Sequence, residues 1–145
     1  AVLANSKSQI PNYKQIPMKE ITNSKPYDLE ERTAKFAERV RDFVRKLPHT
    51  PANFEYGKQL IRSSGSQAAN YIEANEALGK KDFAHRIRIA RKETKESCLW
   101  LRLCETRDNH VVEQERQTLM QEATELRKIF SAILEKTTVN SNTSL

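Results

Sequence analysis

The chain has 145 residues, 37% of them hydrophobic and 30% charged, with a formal net charge of +6. That length suits one domain with a single core and requires neither disulfides nor metal to close it. With only 3 Gly and 5 Pro, the composition excludes a turn-rich β fold and points to helices.

Residues 1–27 hold Pro11, Pro17 and Pro26, several Asn and Ser, and no helical period, so an extended or disordered arm of charge +3 is expected there. Met18 lies just ahead of the organised region, and residues 1–17 are set aside from the fold reading. The first helix is placed over 28–47. Asp28 is its expected N-cap, Glu31 completes a capping box, and Phe36, Val40, Phe43 and Leu47 supply the apolar face until Pro48 and Pro51 stop it.

The second helix is placed over 52–77, with Tyr56, Leu60, Ile61, Ala68, Tyr71 and Ile72 as its apolar residues. Its middle, from Ser63 to Ala69, is small and partly polar. A helix-interior Gly costs about 1 kcal/mol relative to Ala, so Gly65 is expected to mark a close backbone approach, and Gly79 the end of the helix. Gln67 stands where an apolar residue is expected and needs a partner if buried.

The third helix, over 82–106, opens near Asp82. Phe83, Ile87, Ala90, Thr94, Ser97, Leu101 and Cys104 step by four and three throughout, the pattern of a bundle seam. Cys98 and Cys104 fall in this helix about 9 Å apart along its axis and on different sides, so they do not bridge each other. They read as small apolar side chains of a reducing compartment, and a cytoplasmic location is expected. The fourth helix, over 110–137, carries Leu119, Ala123, Leu126, Phe130 and Ile133 before a flexible tail over 138–145. The spacing therefore predicts an all-α, antiparallel up-down-up-down four-helix bundle over 28–137. No stretch reaches the roughly 20 apolar residues of a membrane span, so no membrane partner is expected.

Catalytic and metal chemistry find little support. Asp82 and His85 form a single Asp-x-x-His, read as a helix cap beside a surface His, whereas a di-metal bundle needs paired Glu-x-x-His motifs. His49 and His110 lack ligand-spaced partners. There is no nucleophile elbow and no phosphate loop, so the expectation is a non-enzyme without metal or cofactor.

Polar residues inside the helices are more informative. Arg62, Asn70 and Glu73 on the second helix and Glu93, Glu96 and Trp100 on the third each follow one face. They read either as an intrachain polar network or as an oligomer interface anchored by Trp100 and Arg62. Charge is uneven: residues 80–107 sum to +5, from nine basic and four acidic, while 51–79 sum to −1 and 108–145 to −2. Lys81, Arg88, Lys92, Lys95 and Arg102 lie on one helical face with Arg91 beside it. Such a stripe either tracks a phosphate backbone or is a solvated face laced with ion pairs.

Tyr27 to Thr33 (YDLEERT), Leu60 to Ala74 (LIRSSGSQAANYIEA), Lys81-Asp82-Phe83, and Lys92-Glu93 with Trp100-Leu101 resemble the bacterial four-helix-bundle family encoded by intervening sequences in 23S ribosomal RNA genes. The match spans about 27–107, with a weaker extension over the last helix. The resemblance implies a bundle assembling as a homo-oligomer, a ring of five, with no known enzymatic activity. A related bundle family that assists reverse transcriptases lacks the RSSGSQAANYIEA run, so a reverse transcriptase partner is not expected. Binding of structured RNA, intervening-sequence or ribosomal, is the leading expectation. A protein-binding scaffold that makes no nucleic-acid contact is the alternative.

Overall fold

A computed structural model describes residues 26–142, with side chains from 28 to 140. Four helices follow in order: α1 (Pro26–Lys46), α2 (Pro51–Asn75), α3 (Lys80–Leu103) and α4 (His110–Asn142). Their connections are short, so sequence neighbours run antiparallel. α3 packs on α2 and α4, and α1 closes the bundle against the other two sides of that pair. This is the predicted all-α bundle, and the described residues contain no strand. No described helix is long and apolar enough to cross a membrane.

The helix ends differ from the predicted ones for local reasons. Most of the expected arm lies outside the described residues, but Pro26 and Tyr27 already belong to α1. Proline lacks only a donor that the first helical turn leaves free anyway. Asp28 is thereby a first-turn acid facing the helix dipole rather than the N-cap. α2 is capped by Thr50, whose hydroxyl accepts from the Asn53 amide at 3.0 Å, with Pro51 at the first position. Its end comes at Asn75, and Gly79, expected to close it, instead precedes α3 in extended conformation. Asp82 consequently lies in the first turn of α3 rather than opening it. α4 runs past the predicted boundary through part of the expected tail, with the Thr137 and Thr138 hydroxyls bonded back to the Ile133 and Leu134 carbonyls.

Phe36, Val40 and Phe43 of α1 with Leu47 just beyond its end, Ile87, Ala90 and Leu101 of α3, and Leu119, Ala123, Leu126 and Phe130 of α4 form the core as spaced. On α2 the outcome splits. Leu60 and Tyr71 are buried, while Ile61 and Ile72 face outward, so its apolar residues cover two faces rather than one. The inner face is completed by Ser63, Ser64 and Gln67. Ser63 and Ser97 join α2 to α3 by a 2.7 Å hydroxyl bond, and the Gln67 amide donates to the Thr33 carbonyl of α1 at 2.8 Å. Among the described residues the buried amide oxygen of Gln67 has no hydrogen-bond partner.

The predicted close approach at Gly65 is not there, since nothing lies within 4 Å of a Cβ built on it. It occurs at Gly57, where a Cβ would stand 3.1 Å from Val44 Cγ1 of α1. Asn53 ties the two loops at that end of the bundle together. Its amide donates to the carbonyls of Pro48 and Glu105 at 2.9 Å, and its oxygen accepts from the Glu105 amide at 2.8 Å.

Candidate nucleic-acid interface

α3 turns its apolar seam toward α2 and α4, which forces its opposite face into water. Lys81, Arg88, Lys92, Lys95 and Arg102 are all exposed there, and Arg91 is half-buried at the edge facing α4. From Lys81 to Arg102 the row runs about 30 Å, near the length of one duplex turn. Among the described residues none of the six forms an ion pair. The paired carboxylates are Asp42, Glu55, Glu113, Glu115, Glu122 and Glu125, on α1, α2 and α4. The Arg91 guanidinium reaches only a hydroxyl, Ser131 Oγ at 3.5 Å.

The face also extends onto α4, which the residue spacing did not reveal. Arg127 lies close enough to Cys98 for its charge to favour the thiolate, although burial leaves that thiol above its ordinary range. Its helix sums to a negative charge, which hides it in any segment total. Leu99 and Leu103 stand exposed within the stripe, so the surface carries apolar contact area besides charge.

The second predicted group divides. Asn70 is held inside the chain, accepting from Arg86 at 3.3 Å and donating to the Ser66 carbonyl at 2.9 Å. Trp100 is half-buried and stacks on Tyr56 with ring centroids 6.0 Å apart. Glu93 is 8% exposed, and one of its carboxylate oxygens has no hydrogen-bond partner among the described residues. Burial raises its pKa, repulsion from Glu96 adds to this, and Lys92 and Arg62 oppose it. The side chains of Arg62 and Glu73 are exposed and enter no hydrogen bond or ion pair among the described residues. The six thus do not form one site: Asn70, Glu93, Glu96 and Trp100 line the α2–α3 boundary, while Arg62 and Glu73 border the outer face of α2.

Among the described residues no group of acids, His and Cys has metal-site geometry. Cys104 is buried, and its thiol is pushed up to about 11 by that burial, which disfavours a nucleophilic role. The arrangement can hold a polyanion electrostatically.

A family model described as 23S rRNA-intervening sequence protein matches residues 26–132. A solved structure from Bacteroides thetaiotaomicron VPI-5482, described as a protein with unknown function from the S23 ribosomal protein family, is 28% identical. It superposes with a TM-score of 0.67 over 77% of this chain and 99% of its own. No curated protein matches the chain.

Proposed function

The chain belongs to the 23S rRNA-intervening sequence protein family, and from that premise we propose that it is a non-catalytic, homo-oligomeric bundle of the cytoplasm that binds structured RNA through the outer face of α3. The observation that carries this reading is the set of six cationic side chains left without carboxylate partners. A solvated face of the ordinary kind is laced with ion pairs, whereas here, although Glu96 stands four residues after Lys92, none of the six cations comes within ion-pair distance of a carboxylate among the described residues. Arginine and lysine contacts to phosphates release condensed counterions, so a row of them gives affinity without base readout. No aromatic platform accompanies the row, which favours the backbone of a folded RNA over stacked single-stranded bases.

The test is retention of a labelled intervening-sequence or 23S rRNA hairpin by the full chain across a salt series. Engagement of all six groups should cost roughly a thousandfold in affinity between 50 and 200 mM salt. Arg88→Glu and Lys92→Glu should each weaken retention at unchanged helical content, since both side chains are exposed. Unchanged retention in both variants overturns the reading. Recovery of one stoichiometric protein after nuclease treatment would favour a scaffold instead.

A further inference from the structure

α3 and α4 pack side by side, and the outer groove between them is cationic on both walls. Arg91, Lys95, Cys98 and Arg102 step by four, three and four, so they share one flank of α3. Two contacts show that this flank faces α4. The Arg91 guanidinium reaches Ser131 Oγ at 3.5 Å, and the charge of Arg127 acts on the Cys98 thiol. Arg127 precedes Ser131 by four residues, about one helical turn. Because the two helices run antiparallel, Arg91 lies level with Ser131, and Arg127 lies near the level of Lys95 and Cys98. Three cations and a hydroxyl thus stand at the corners of a patch about 5.4 Å high and one interhelical spacing, roughly 8–10 Å, wide.

No carboxylate balances this cluster. Among the described residues Arg91, Lys95 and Arg127 enter no ion pair. Glu93 and Glu96 lie toward α2, where Arg62 acts on Glu93, Glu113 is taken by Arg116, and Glu135 stands a further turn beyond Ser131. The arrangement is costly to the isolated fold. Arg91 is half-buried and so loses part of its hydration, and a long bond to a hydroxyl replaces little of it. Arg91 and Lys95, one turn apart, also repel each other. An anion held between the two arginines removes both penalties. A phosphodiester suits this donor set, since guanidiniums on opposite walls can each fork onto its free oxygens while the Ser131 hydroxyl donates a further bond.

We infer that the α3–α4 groove clamps a backbone phosphate of the RNA between Arg91 and Arg127, above Ser131, so that the strand runs along the groove rather than over the crest of α3 alone. The inference rests on the RNA reading above and adds Arg127 and Ser131 to its contacts. Lys95 and Arg102, on the same flank, then follow the same strand, and the half-buried Cys98 thiol lies beneath it.

Two measurements on the full chain with a 23S rRNA hairpin test the clamp. Arg127→Gln should weaken retention several-fold and lower the slope of log affinity against log salt by about one. Lys128→Gln, one residue on and turned away from α3, should change neither. Bound hairpin should also slow the alkylation of Cys98 by iodoacetamide several-fold, as read by peptide mass mapping, and Arg127→Gln should lessen that protection. Retention that depends on Arg88 and Lys92 but not on Arg127, with Cys98 unprotected, overturns the clamp and leaves the RNA reading standing. Equal losses in Arg127→Gln and Lys128→Gln do the same, whereas no retention at any salt overturns both. Protection of Cys98 by inorganic phosphate or by polyglutamate as effective as that by the hairpin also overturns the clamp, the latter in favour of an acidic protein partner.

Discussion

Burial lifts the Glu93 carboxyl above its ordinary range, while hydrogen bonds from Arg116, Gln117 and Thr106 hold Glu113 down to about 2. The two therefore affect stability with opposite signs. Glu93 binds its proton more tightly folded than unfolded, so its contribution falls as pH rises through the raised value. Glu93→Gln should accordingly melt higher than the parent at neutral pH, with the gain shrinking toward about pH 4. Glu113 is the reverse. Its stabilisation is complete above the unfolded value near 4.5 and is lost as pH falls through about 2, so Glu113→Gln should melt lower at neutral pH. Thermal melts of both variants at the two pH values check the pair. Neither effect is legible from sequence, where both residues are simply glutamates within helices and only the fold decides which carboxylate is desolvated. The glycines carry the same lesson. Gly65→Ala should stabilise by up to about 1 kcal/mol in denaturant titration, while Gly57→Ala should give clearly less because Val44 has to move.

Among the helices, α1, α3 and α4 follow their spacing closely, because each has one apolar stripe and one surface to bury. α2 does not, and the reason is physical. It carries apolar residues on two faces and gives part of the inner one to Ser63, Ser64 and Gln67, so periodicity alone assigns Ile61 and Ile72 to the core. The attachment of α1 to α4 was also invisible from spacing. Arg32, nearly buried, donates from Nε to Glu122 at 3.2 Å and from its terminal nitrogen to Glu125 at 2.7 Å. Removing one member of such a cluster leaves a buried charge uncompensated. Arg32→Ala should therefore destabilise by about 3 kcal/mol in denaturant titration, well beyond the median for a surface ion pair.

For the molecule as a whole, the charge partition was readable at once, since residue counts alone place the excess on α3. What the counts could not say is whether that excess is neutralised, because pairing depends on which helices become neighbours. The carboxylates that do form ion pairs among the described residues pair with α1 or within α2 and α4, never with α3, and Arg127 adds to the cationic face from α4. Inside, the bundle is polar at a few deliberate points, and these bear on more than stability. An all-aliphatic interior tolerates one helix sliding a turn, about 5.4 Å, along its neighbour with little penalty. Here such a slip would separate the Ser63 and Ser97 hydroxyls and take the Gln67 amide from the Thr33 carbonyl, leaving each group only the bond to its own helix and none across the interface. The mis-slid packings thus carry a cost that the native one escapes, and the interior selects a single alignment by penalising its competitors.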